Sequence, residues 1–183
     1  MNIPNYFTLL RIILIPVLMV FFYIPWQWGH FFSAIIFALA GVTDWLDGYL
    51  ARSLQQTSAL GRFLDPVADK LIVAVSLVLL AGDQQHLPYF AIPAAIIVGR
   101  EIGVSALREW MAELGKQTSV AVSFIGKLKT TLQMIAVTGL LATSDKFLPN
   151  VNITGYYLLC ISAVLTVWSM TIYLRAAYKE LHT

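Results

Sequence analysis

Charge is scarce in this sequence. Lys and Arg number 12 and Asp and Glu 10 in 183 residues, 12% of the chain, where soluble domains carry about 25%. So few charges would not cover a water-soluble globule of this length, so most of the surface must face lipid. The formal net charge of +2 leaves no strong field of either sign, and nucleic acid is not expected as a partner. Cysteine is nearly absent: Cys160 has no partner for an internal disulfide and reads as a small packing residue in an apolar stretch. Of the three histidines, His30 and His86 fall near turn and aromatic sequence and His182 in the tail, which suits an interfacial or solvated role better than a ligand role.

Long hydrophobic runs take the place of charge. Six stretches, roughly 7–24, 31–51, 66–81, 89–110, 120–142 and 154–177, approach the ~20 apolar residues that cross a bilayer. No small-residue cleavage site follows the first, only Pro25, Trp26, Gln27 and Trp28, so it reads as a retained span. Turn signals at Pro25, Gly82-Asp83 and Pro149-Asn150 separate spans rather than domains. The expectation is an all-α integral membrane protein in which residues 1–183 form a single six-helix transmembrane domain. Eleven of the twelve cations lie at alternate span ends, with Lys146 alone on the other side, which puts both termini in the cytoplasm.

Four of the ten acids gather at the second and third spans, as Asp44, Asp47, Asp65 and Asp69. A charge inside a span costs about 2.5–3.5 kcal/mol on insertion scales, so its presence points to function. Residues three and four apart share a helix face. Asp44, Asp47, Gly48 and Ala51 then form one stripe, and Asp65 and Asp69 another on the helix after a short loop, so that four carboxylates converge at the cytoplasmic end. Four ionised carboxylates need compensation, and two divalent cations supply it. An all-oxygen donor set without His or Cys favours Mg²⁺, or Mn²⁺, and such a pair suits phosphoryl or pyrophosphate chemistry. Gly48 and Gly61 leave room for a ligand or an opposing backbone, and Arg52, one turn beyond Gly48, is placed to meet a phosphate. The competing reading, an interfacial ion-pair network with Arg52, Arg62 and Lys70, explains the charges but not their two matching faces. An ion or proton transporter, the rival from another class, would place its acids near the midplane with access from both sides.

At these residues the sequence resembles the CDP-alcohol phosphotransferase family. The pattern D-x2-D-G-x2-A-R-x8-G-x3-D-x3-D is met by Asp44, Asp47, Gly48, Ala51, Arg52, Gly61, Asp65 and Asp69. The resemblance implies a six-helix membrane enzyme, commonly a homodimer, that moves a substituted phosphate from a CDP-linked donor to an alcohol and releases CMP. It implies that Asp44, Asp47, Asp65 and Asp69 bind the metals, and that Asp69 also takes the proton of the acceptor hydroxyl. Gly48, Arg52, Gly61 and Ser58 would hold the donor, with Asn5 and Thr8 against its nucleotide. For that N-terminal pair a plain alternative stands beside the functional one: Thr8 caps the first helix and Arg11 snorkels.

Cations at Arg100, Arg108, Lys127 and Lys129 suit an acceptor that carries its own phosphate. Positive-inside topology also predicts cations there, and charge alone admits inositol 1-phosphate as readily as glycerol 3-phosphate. The segments Arg100–Trp110 and Gly126–Met134 resemble the bacterial branch of the family that makes phosphatidylglycerophosphate. That resemblance implies CDP-diacylglycerol and glycerol 3-phosphate as substrates and the bacterial inner membrane as the location. Cardiolipin synthesis and phosphatidylinositol phosphate synthesis are the nearest alternatives. Gly99 and Gly103 form a small-xxx-small pair that suits close helix packing or self-association.

Overall fold

The structure, a computed structural model, describes residues 3–54, 59–83, 89–115, 124–143 and 149–181. Six α-helices account for nearly all of them: α1 (Ile3–Tyr23), α2 (Gly29–Leu54), α3 (Ala59–Gly82), α4 (Ala91–Glu113), α5 (Phe124–Ala142) and α6 (Pro149–Leu181). No strand occurs among the described residues, in agreement with the expected all-α class.

Two boundaries differ from the hydropathy reading in a way that matters for the site. α3 begins at Ala59 rather than near residue 66, so Gly61 and Asp65 lie inside the helix and Pro66 is internal to it. Hydropathy registers only the apolar run, whereas backbone hydrogen bonding continues through the polar residues before it. α6 has 33 residues, about 50 Å at ~1.5 Å per residue, and so exceeds the ~30 Å hydrocarbon core. By length and composition, Asn150–Tyr178 is the one segment among the described residues long and apolar enough to cross a membrane. Thr8–Tyr23, Gly29–Asp44 and Leu128–Ala142 are shorter apolar segments. Arg11, Asp44 and Lys129 lie at or near the polar ends of these runs, where side chains needed elsewhere in the fold interrupt the apolar sequence.

Packing follows two closely joined pairs, α1 with α2 and α5 with α6, linked by contacts of α2 with α5, α1 with α3 and α4 with α6. α2 and α3 touch each other little among the described residues, although only a short connection joins them. The core is built from Leu18, Phe37, Leu77, Leu80, Ile97, Leu140 and Leu159, all fully buried. Close approach of α5 and α6 requires Gly155, where a Cβ would stand 2.8 Å from Leu140 Cγ. Gly115 ends the α4 segment with φ +68°, a conformation that favours glycine, and its N–H donates to the Ala112 carbonyl at 3.0 Å.

The outside is apolar. Val20, Val78, Ile102, Val164 and Trp168 are each at least 60% exposed, a surface that water would not favour and lipid would. At the α1–α2 turn, Phe32 stacks on Phe21 at 5.7 Å and on Trp26 at 5.2 Å, a cluster of the kind enriched at membrane interfaces. His30 packs edge-on against Phe22 at 4.8 Å.

Candidate active site

α1 is the element that organises the acids. Thr8 and Arg11, three residues apart, share a face of α1, and both side chains are buried, at 0% and 1% exposure. The Thr8 hydroxyl donates to Asp65 Oδ1 on α3. Arg11 Nη1 donates to Asp44 Oδ1 on α2 at 2.9 Å. A single face of α1 therefore holds one carboxylate from each acid-bearing helix, which explains how α2 and α3 can present a common acidic end without packing closely together. Neither the helix cap nor the snorkelling cation considered for these two residues is what the structure has. Thr8 lies inside α1, and Arg11 is turned into the bundle.

Asp44 and Asp69 line one cavity of about 730 Å³. Asp44 is half exposed beside its buried arginine, and Asp69 is exposed at the cavity wall, one helical turn after Asp65. Lys70, Glu101, Thr130, Thr131 and Gln133 contribute the other polar lining, and Ala38, Gly41, Val42, Val73, Met134 and Ile135 much of the apolar part. Gly41 brings α2 close to α5, since a Cβ there would collide with the Met134 methyl.

Behind the lining residue Glu101 lies a second, cationic network. Glu101 Oε1 accepts from Arg100 Nη1 at 2.9 Å and from Lys129 Nζ at 3.1 Å, joining α4 to α5. Arg100 also donates through Nη2 to Ser169 Oγ on α6 at 3.2 Å. The Ser162 hydroxyl donates to the Lys129 carbonyl at 3.2 Å and ties α6 to α5. Lys70 donates to Ser105 Oγ, and that hydroxyl donates to the Glu101 carbonyl at 2.7 Å. The acid-bearing helix α3 is thus linked to the residue that gathers the cations. Lys129 is 3% exposed and Arg100 13%, whereas Glu101 is 26% exposed. Two interior polar atoms of this region, Arg100 Nε and Gln133 Oε1, have no hydrogen-bond partner among the described residues.

Arg108 is set apart from this network, with its guanidinium 5.2 Å from the centre of the Tyr173 ring. Asp47, Gly48 and Arg52 fall on α2, Gly61 on α3, Lys127 on α5 and Asn5 on α1, but their side chains lie outside the described residues, as does Ser58 altogether. Among the described residues no group of three His, Cys, Asp or Glu side chains comes together to hold a metal. The donor chemistry nevertheless fits a hard divalent cation: Asp44 and Asp69 face one cavity, and among the described residues neither thiol nor imidazole lines it, although Asp65, bonded to Thr8, is not among the lining residues.

Glu101 and Arg11 are the contributors that motif reading left without a role at the site. The rule that singled out the aspartates also applied to Glu101, an acid within an apolar run. Its link to Lys129, 28 residues away, has no sequence signature.

Residues 1–168 match the family model described as CDP-alcohol phosphatidyltransferase. A Yersinia enterocolitica protein named "CDP-diacylglycerol--glycerol-3-phosphate 3-phosphatidyltransferase" is 52% identical over 181 residues, which cover 99% of this chain and 97% of that one. Proteins with the same name from Sodalis glossinidius, 51% identical over 181 residues, and Salmonella choleraesuis, 52% identical over 182, cover 99% and 98% of this chain and 97% of their own length.

Proposed function

The chain belongs to the CDP-alcohol phosphatidyltransferase family, and from that premise we infer how its cavity performs the reaction. It transfers the phosphatidyl group from CDP-diacylglycerol to glycerol 3-phosphate, giving phosphatidylglycerophosphate and CMP. The family is one of membrane enzymes and is generally dependent on divalent metal.

The finer reading is ours. All six helices cross the bilayer of a bacterial inner membrane, with the acidic end on the cytoplasmic side, and the enzyme works as a homodimer. Asp44, Asp47, Asp65 and Asp69 would hold two divalent cations, Mg²⁺ or Mn²⁺. When bound, these neutralise the diphosphate of the donor and the charge that develops on departing CMP. Gly48, Arg52, Ser58, Gly61 and Asn5 form the donor side. Arg11 and Thr8 hold Asp44 and Asp65 in orientation, the part that outer partners of a metal site play. Arg100, Arg108, Lys127 and Lys129 receive the phosphate of the acceptor.

With its phosphate held by those cations, glycerol 3-phosphate points its primary hydroxyl across the cavity towards Asp69. The hydroxyl oxygen attacks the phosphorus on the lipid side of the diphosphate. The bond from that phosphorus to the bridging oxygen breaks, CMP departs with the electron pair, and Asp69 accepts the hydroxyl proton. A carboxylate is a weak base for an alcohol, so proton removal comes late, as the new P–O bond forms. The diacyl tails stay in the bilayer throughout.

The observation that carries this reading is the cavity itself, lined by Asp44, Asp69, Lys70 and Glu101, with Arg100 and Lys129 paired to Glu101 from behind the lining. The test incubates purified protein with CDP-diacylglycerol, Mg²⁺ and one acceptor at a time: glycerol 3-phosphate, inositol 1-phosphate, phosphatidylglycerol or serine. CMP and the lipid product should appear with glycerol 3-phosphate. Turnover with another acceptor in its place overturns the assignment.

A further inference from the structure

Glu101 presents its two carboxylate oxygens differently. Oε1 accepts from both Arg100 and Lys129. Oε2 has no hydrogen-bond partner among the described residues and is not among the enclosed atoms left without one, so it is open, and Glu101 borders the cavity. The carboxylate is held at several points. Two cations from α4 and α5 fix Oε1, and Ser169 steadies Arg100 from α6. An ionised carboxylate has capacity for more acceptor bonds than the two it makes. A fixed, open carboxylate oxygen is a hydrogen-bond acceptor already in place for a hydroxyl group.

We propose that Glu101 is a specificity-determining residue for the acceptor: its Oε2 accepts a hydrogen bond from the middle hydroxyl of glycerol 3-phosphate, with the positive charge of Arg100 and Lys129 behind it. This rests on the reading of the cavity given above and adds to it a group that recognises the polyol rather than the phosphate. The terminal hydroxyl is the one that attacks, so the middle hydroxyl is the one left for Oε2, and Glu101 and Asp69 line the same cavity. A hydroxyl on the carbon next to the phosphate ester reaches it, while the terminal hydroxyl extends across to Asp69. Two cations against one carboxylate leave a net positive charge for the phosphate, so the acid and the substrate anion can coexist. A site built to hydrogen-bond a substrate hydroxyl discriminates strongly against the analogue that lacks it.

The experiment compares glycerol 3-phosphate with 3-hydroxypropyl phosphate, which keeps the primary hydroxyl and the phosphate but has no middle hydroxyl. Wild-type enzyme should prefer glycerol 3-phosphate in kcat/KM by on the order of a hundredfold. Glu101→Gln should reduce that preference about tenfold, because a neutral amide is the weaker acceptor, with the KM for CDP-diacylglycerol unchanged. The ratio of two acceptors on one preparation does not depend on the fraction of enzyme that is folded, so a merely structural effect would not move it. If Glu101→Gln does not accumulate, Glu101→Asp, which withdraws the carboxylate by one methylene, should lower the ratio in the same way. Equal use of both acceptors by wild type, or an undiminished preference in the variant, overturns the assignment of Glu101 and leaves the overall reaction standing. No turnover of glycerol 3-phosphate by wild type would overturn the reaction as well.

Discussion

Replacing Thr8 by valine separates two roles for the N-terminal helix, contact with the nucleotide and orientation of an aspartate. Valine matches threonine in shape, so the fully buried site keeps its packing and loses one hydroxyl. That hydroxyl donates to Asp65 on α3. A hydrogen bond to a charged acceptor contributes about 1.5–3 kcal/mol. Asp65 is only part-buried, so water recovers part of this, and the low end, about 1.5 kcal/mol, is the value expected. That corresponds to roughly tenfold in an equilibrium constant, within the 10–100-fold typical when an outer partner of a metal ligand is removed. The assay is CMP release from CDP-diacylglycerol across a Mg²⁺ titration. The Mg²⁺ concentration for half-maximal activity should rise about tenfold, while the KM for CDP-diacylglycerol at saturating Mg²⁺ stays near that of wild type. An unchanged Mg²⁺ curve with a raised KM for CDP-diacylglycerol would refute the reasoning, because Thr8 would then act on the donor directly.

Asp69→Asn should abolish CMP release without lowering the thermal midpoint in detergent, since Asp69 is exposed at the cavity; near-normal turnover would remove it as the base. Gly155→Ala should cost about 1–3 kcal/mol, because the added methyl would stand 2.8 Å from Leu140 Cγ at the α5–α6 contact; an unchanged unfolding midpoint would contradict that packing. Lys129→Gln should raise the KM for glycerol 3-phosphate on the order of tenfold. Arg108→Gln should raise it less, because the Arg108 guanidinium rests on Tyr173 rather than on Glu101; the reverse order, measured by initial rates, would exchange their roles.

The acidic motif could be read residue by residue because its spacing and the helical period together place Asp44 with Asp47 and Asp65 with Asp69. The same logic extended only as far as one helix. Arg100 and Glu101 are adjacent in sequence and do form a bond; the link from Lys129 that gathers a second cation behind Glu101 crosses between helices. The start of α3 was placed late for a related reason. Hydropathy marks where side chains prefer lipid, and the turns from Ala59 to Asp65 face polar surroundings while keeping helical backbone bonds.

Scarcity of charge and the length of the apolar runs pointed to a helical membrane protein, and the spacing of four aspartates pointed to phosphoryl chemistry with divalent metal, while the family resemblance named the reaction. These are local properties, governed by the helical repeat and the cost of desolvating a charge. Which distant side chains meet was a matter for the folded chain. The short α2–α3 connection suggested that the two acid-bearing helices lie side by side; among the described residues they touch little, and α1 joins them through Thr8 and Arg11. A turn constrains where two helix ends lie, but the packing of the whole bundle decides which faces touch, and that depends on contacts as remote in sequence as Thr8 with Asp65.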